Sequence, residues 1–311
     1  MNKRALAIAA LGAGAAGVVA VRLRRPADRP GIVTLEHTPR YRAGTGSPLL
    51  LLHGVSVTWR TWHPVLEHLE PHHEVLAPTL LGHAGAAAFA PGAALSIGML
   101  ADGIEEELDR AGLDTVHIAG NSLGGWIGIE LARRGRARSL VLFSHAGASD
   151  TQRRLEALVA VIGAAVSAMY RCASHADAIA SRRSLRTLLL CTQVAHPSRV
   201  SPDYVAASLR AYSLAPAVGE LRAAVSHEQV QPLPRGQRYP IRLVWPHRDR
   251  VLPFRHFGAP MLARIPDAEL CRMADIGHVP MSDDPLGVAR MILEITTAVD
   301  AAASRAQQGG Q

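Results

Sequence analysis

The sequence predicts an α/β fold: a mainly parallel sheet covered by helices on both faces, with a helical cap inserted between two of its strands. Three observations predict it. From Gly31 onward, short β-rich runs alternate with amphipathic stretches whose apolar residues recur at three- and four-residue spacing, as in crossover-connected parallel strands. Runs such as residues 48–52 are continuously apolar, as strands buried on both faces must be. Residues 147–238 break the alternation, holding helical patches and no convincing strand. A structureless loop of that length does not suit a compact domain.

The elements follow in order. Residues 32–36 and 40–43 read as an initial hairpin. Strands are expected at 48–52, 75–78, 115–119, 140–143, 241–245 and 268–273. Helices are expected at 97–111 and 124–134, and residues 282–298 close the fold as a helix. Inside the insertion, 155–170 and 204–214 carry helical periodicity, and Pro216 ends the second patch. The resulting organisation is an apolar N-terminal segment and linker at 1–30, a main domain at 31–298 with its cap at about 148–238, and a flexible polar tail at 299–311. Exchanging residues 149–234 for a short linker should leave a foldable sheet with a changed substrate preference.

With 311 residues, 48% of them hydrophobic, the chain is long enough to bury a full core. Its formal charge of +7 raises a nucleic-acid partner, but the distribution excludes one. Lys3 is the sole lysine, the arginines are scattered as pairs such as Arg133–Arg134 and Arg182–Arg183, and no basic helix, stacking platform or zinc-finger spacing accompanies them. Cys172, Cys191 and Cys271 are odd in number and far apart, which gives neither a disulfide framework nor a zinc signature. No metal and no cofactor is expected.

Three readings compete for the N-terminus. Residues 5–21 are uncharged and apolar, between Lys3-Arg4 and the run Arg22, Arg24, Arg25. As a membrane anchor they span about 25 Å of a roughly 30 Å hydrocarbon core. As a secretory signal they offer Val18-Val19-Ala20 for cleavage, though arginines just past the cut oppose translocation. A weakly hydrophobic Ala/Gly helix is the third. Membrane association through 5–21 is the reading preferred over a cytoplasmic or secreted protein.

The chemistry begins at Gly120-Asn121-Ser122-Leu123-Gly124-Gly125, between the strand at 115–119 and a helix. This is G-x-S-x-G in the strand–turn–helix setting that lifts a serine Oγ above the sheet. The helix start below it offers free N–H groups to a developing oxyanion. Serine is a weak nucleophile and needs a base.

The strand at 48–52 runs into His53-Gly54-Val55-Ser56, and together with the elbow this resembles the α/β-hydrolase superfamily. The resemblance implies that the backbone N–H groups of Val55 and Leu123 form an oxyanion hole and that His53 orients the loop; His53 as the base is the alternative. Gly277-His278-Val279-Pro280 resembles the family's Gly-His-x-Pro loop and names His278 as the base. Asp249-Arg250-Val251-Leu252-Pro253, just past a strand, resembles the family's acid loop and names Asp249. Its alternative is a surface aspartate paired with Arg248 or Arg250, while Asp275, Asp283 and Asp284 compete by closeness to His278. The stretch from Ala77-Pro78 to Gly82-His83 is similar to another family motif but has Thr79 for Asp and Ala84 for Gly, so no chemistry is assigned to it. The resemblance covers roughly residues 31–147 and 240–298.

The implied activity is hydrolysis of carboxylic esters, thioesters or lactones through an acyl-enzyme, on a small and apolar acyl substrate. Serine at the elbow argues against the family's epoxide hydrolases and haloalkane dehalogenases, which carry aspartate there. Asn121 is similar to carbon–carbon bond hydrolases of aromatic ring-cleavage products, but their Gly/Pro-rich oxyanion loop is absent. A cofactor-free perhydrolase and a catalytically dead ligand-binding member complete the alternatives.

Overall fold

The apolar runs pair into one seven-stranded sheet in a computed structural model that describes residues 32–215, 218–225 and 227–309. The apolar run at 5–21 lies outside the described residues. The strands are β1 (Arg40–Ala43), β2 (Ser47–Leu52), β3 (His73–Pro78), β4 (Val116–Asn121), β5 (Ala137–Phe143), β6 (Ile241–Pro246) and β7 (Glu269–Met273), in the spatial order β1-β3-β2-β4-β5-β6-β7. All neighbours are parallel except β1 with β3.

Period-two alternation builds two cores from one strand. In β2, Leu50 and Leu52 face a cluster with Ile97, Leu100, Ile104 and Ile127. Leu49 and Leu51 face the opposite cluster with Val65, Leu69, Val288 and Ile292. The first layer belongs to helices α2 (Ile97–Arg110) and α3 (Leu123–Arg133), the second to α1 (His63–Leu69) and the closing helix. Ser96 Oγ caps α2 by accepting Met99 N–H at 3.0 Å.

Among the described residues, five α-helices lie between β5 and β6: α4 (Gln152–Cys172), α5 (Ala176–Ala180), α6 (Arg183–Leu190), α7 (Pro202–Leu214) and α8 (Val218–Val225). This cap has its own apolar cluster, centred on Cys172, Ile179, Val194, Val205 and Leu209. Residues Gln152–Ala180 are apolar enough and long enough to cross a membrane by composition, yet a 3-10 turn at Ala173–His175 divides them.

The sheet is followed by α9 (Gly258–Arg264), α10 (Pro280–Asp283) and α11 (Pro285–Gly309). Two expectations need correction. Residues 32–36 form no strand; β1 pairs with β3, from Arg40 opposite Pro78 to Ala43 opposite Val75. The segment before β1 is drawn to the cap instead, where Ile32 packs on its cluster and Val33 N–H donates to Asp203 Oδ1 at 2.9 Å. The closing helix also does not stop at residue 298 but runs to Gly309, so the expected flexible tail is helical there. Asp300 explains this: its carboxylate accepts from Ser47 Oγ at 2.5 Å and Arg138 Nη2 at 2.8 Å, and it meets His117 Nε2 at 3.1 Å. That polar anchor holds the helix to the ends of β2, β4 and β5, and the alanines beyond it continue the turn readily.

Candidate active site

Parallel pairing brings the chemistry-bearing loops to one edge of the sheet. Leu52 is opposite Gly120, so the loop after β2 lies beside the turn after β4. Pro246 is opposite Met273, so the loops after β6 and β7 are neighbours too. Open α/β sheets bind ligands at this carboxyl edge.

Ser122 sits at φ 54°, ψ −117°, a strained conformation for a residue with a Cβ. Ser122 N–H donates to Phe143 O at 3.1 Å, and its carbonyl accepts Ala146 N–H at 3.0 Å, which holds the strain in place. A Cβ on Gly124 would stand 2.2 Å from Leu52 O, so no larger residue lets α3 start this close to β2. A Cβ on Gly54 would be 3.3 Å from Ser122 Cβ, which puts the His53–Val55 loop directly against the serine. Among the described residues neither Val55 N–H nor Leu123 N–H has a hydrogen-bond acceptor.

His278 and Asp249 meet as a buried pair. The imidazole Nδ1–H donates to Asp249 Oδ2 at 2.9 Å, and the Asp249 side chain is fully buried. Asp249 Oδ1 accepts Val251 N–H at 2.9 Å and Leu252 N–H at 2.7 Å, so both oxygens are engaged and the carboxylate cannot rotate freely. Trp245 Nε1–H pins the same turn through Leu252 O at 2.8 Å. Because Nδ1 carries the proton, Nε2 presents its lone pair. No hydrogen bond joins that nitrogen to Ser122 Oγ among the described residues.

Of the competing carboxylates, Asp275 is exposed and pairs with Arg248 at 3.1 Å. Asp284 Oδ1 accepts Gly287 N–H at the start of α11. Asp283 is buried: its Oδ2 accepts Gly277 N–H and Ala195 N–H, and its Oδ1 accepts His196 N–H, all at 2.8 Å. One carboxylate thus ties the His278 loop to the cap. Val279 N–H adds a bond to Gln193 O at 2.9 Å, and a Cβ on Gly277 would stand 2.7 Å from Val194 Cα. Asn121 Nδ2 completes the holding of the loop, donating to His278 O at 3.0 Å and Phe143 O at 3.1 Å. Asp283 and Asn121 were not picked out for these contacts in the sequence. In the sequence Asn121 stands out only for its similarity to carbon–carbon bond hydrolases, not as a residue that holds the His278 loop.

His53 occupies both ring nitrogens with backbone. Nε2 accepts Leu80 N–H at 2.9 Å, so Nδ1 donates to Gly54 O at 2.7 Å. Burial pulls its pKa down to about 3, and pulls His83, His117 and His145 to about 4. These four are neutral in the folded chain but ordinary, near 6.5, once unfolded. Between about pH 4 and pH 6.5 the unfolded chain therefore binds protons that the folded chain refuses, and stability falls as pH falls. Urea midpoints measured at pH 7.5 and pH 5 should show this; equal midpoints would mean the four imidazoles are not buried neutral.

Val57, His83, Ala84 and Ser56 line a slot of about 10 Å³ against Ala211, Tyr212 and Ala215 at the end of α7. The cap therefore stands directly over the loop that carries Val55. Among the described residues, no cluster of three or more His, Cys, Asp or Glu side chains could hold a metal ion.

Residues 49–291 match the alpha/beta hydrolase family. The chain belongs to this family, and it is a hydrolase with the family's fold. A protein of Mycobacterium tuberculosis named epoxide hydrolase EphH is 31% identical over 204 residues, covering 64% of this chain and 94% of its own. Lipase LipV of the same organism is 33% identical over 128 residues, 40% of this chain and 48% of its own. Among solved structures, a thermophilic esterase from Thermogutta terrifontis has a TM-score of 0.62 at 22% identity, covering 88% of this chain and 99% of its own, a likeness of fold.

Proposed function

We propose that the protein is a serine hydrolase of carboxylic ester, thioester or lactone bonds, with Ser122 as nucleophile, His278 as base and Asp249 as the acid that orients it. One observation carries this reading: a serine held in the strained elbow turn shares the sheet edge with an imidazole whose Nδ1 is fixed on a buried carboxylate. In that arrangement Ser122 Oγ attacks the acyl carbon as His278 Nε2 takes its proton, and the imidazolium formed is stabilised by Asp249. The tetrahedral oxygen then receives the N–H groups of Val55 and Leu123. Return of the proton expels the alcohol or thiol, and water repeats the sequence on the acyl-enzyme.

The name of EphH is set against the residue at the elbow. A serine that opened an epoxide would leave an ether, with no acyl carbon for water to attack, so the cycle would not close. Labelling of Ser122 by a fluorophosphonate, with turnover of p-nitrophenyl esters of varied chain length, tests the proposal. An unlabelled serine would favour a ligand-binding member instead.

The contacts of Asp283 give a further expectation. Asparagine there keeps one acceptor but turns an NH₂ group toward backbone donors, loosening Gly277 beside His278. An Asp283→Asn variant should lose about tenfold to a hundredfold in kcat with little change in KM. A lowered melting temperature at unchanged kcat would make Asp283 purely structural.

Membrane association through residues 5–21 is also proposed, supported by the length of the uncharged run. Full-length protein should resist carbonate extraction from membranes, and recovery of all of it in the soluble fraction at its uncut mass would exclude the anchor.

A further inference from the structure

A cavity of about 670 Å³ opens where cap residues 199–204 meet core residues 60–64 and 282–285. Ser122, Val55, Leu123, Asp249 and His278 are not among its lining residues. Its volume lies within the range of small-molecule sites. The wall has an apolar part, Leu35, Val200 and Tyr204, and a cationic part, Arg60 and Arg199.

The two arginines are unusual in their partners. Arg60 spends Nε and Nη2 on Glu36 O, at 3.0 and 2.8 Å, and lies 4.7 Å from the centre of the Trp59 ring. Those contacts hold the guanidinium and, among the described residues, leave Nη1 without an acceptor. Arg199 donates from Nη1 to Asp283 O at 3.1 Å, leaving Nε and Nη2. Neither forms an ion pair among the described residues. The carboxylates on the same wall are committed elsewhere: Asp203 accepts Val33 N–H, and Asp283 accepts its three backbone N–H groups. Arg60 Nη1 and the Nε–Nη2 edge of Arg199 remain as donors beside Asp203 and Asp283, whose oxygens accept backbone N–H groups. Free guanidinium donors suit an oxyanion, which they recognise by charge-assisted hydrogen bonds.

We propose that this cavity is a second binding site, for an organic anion whose carboxylate or phosphate group is held by Arg60 and Arg199 and whose apolar body lies against Leu35, Val200 and Tyr204. The site is connected to the His278 loop through one residue. Arg199 bonds the carbonyl of Asp283, and the carboxylate of Asp283 holds Gly277.

Calorimetric titration of the full chain with octanoate and with octyl phosphate tests the site and separates the two kinds of anion. Inorganic phosphate and octanol probe the charged and apolar halves alone. Saturable binding of at least one octyl anion is expected, weakened about tenfold or more in Arg60→Gln/Arg199→Gln, as loss of charged hydrogen bonds implies. Arg199→Gln alone, at an exposed position that leaves the core intact, should lose part of this. The control Arg153→Gln/Arg171→Gln removes the same charge from the exposed side of α4 and should bind as the parent does. Absence of saturable binding, equal binding by the double variant, or an equal loss in the control would overturn the proposal. Inorganic phosphate or octanol binding as tightly as the octyl anions would overturn its two-part character.

Discussion

A Ser122→Ala variant is expected to lose about a millionfold in kcat toward p-nitrophenyl esters, the scale of removing the nucleophile from other serine triads. It should also fail to react with a fluorophosphonate. The fold should be unaffected, because the turn at φ 54° is held by backbone bonds to Phe143 and Ala146 rather than by the hydroxyl. Alanine inherits the strain of the turn, so the melting temperature should stay close to that of the parent. A variant that keeps appreciable ester turnover would remove Ser122 from the chemistry and, with it, the proposed acyl-enzyme.

The second large effect is expected at Asp249. Asn at this position should lower kcat by about 10³–10⁴, because an amide facing His278 Nδ1 favours the tautomer that leaves Nε2 protonated. Two backbone N–H groups bind Oδ1, so the turn itself should survive the change. Asp275→Asn is the contrasting variant. Asp275 is exposed, lies at φ 55° and pairs with Arg248, a surface pair of little energetic weight. Asparagine tolerates that backbone conformation, and kcat should fall no more than about tenfold. Similar mild effects at both positions would mean that neither carboxylate orients the imidazole.

The sequence was legible where a local pattern has a single physical solution. Continuous apolar runs marked β2 and β5, at residues 48–52 and 140–143, because strands covered on both faces have little polar side to show. The elbow at Ser122 was legible because its glycines sit where neighbouring backbone leaves no room for a side chain. The Asp249–His278 contact was foreseen through the resemblance of two loops, each following a strand at the same edge. What stayed hidden depends on partners distant in the chain. β1 pairs with β3 across some thirty intervening positions, and no periodicity in residues 32–43 records that choice. The extension of α11 past residue 298 rests on Asp300 meeting Ser47, His117 and Arg138, contacts invisible in an Ala-rich polar tail. Asp283 was weighed only as a rival acid, since closeness to His278 suggested contact with the ring rather than with the backbone beside it.

The carboxylate of Asp283 also redraws the frontier between scaffold and insertion. By sequence, residues 193–196 belong to the cap; by hydrogen bonding, they belong to the His278 loop. Shortening 149–234 to a linker would therefore not be a neutral excision that merely widens substrate choice. It would strip two of the three donors from a buried carboxylate and remove the carbonyl that receives Val279 N–H. A carboxylate left with Gly277 N–H as its one remaining donor is held less firmly, so the loop would rearrange, carrying His278 with it. Recombination between relatives has to move the segment around 193–199 and the residue at 283 together. A graft that respects this pairing exchanges caps; one that ignores it displaces the His278 imidazole.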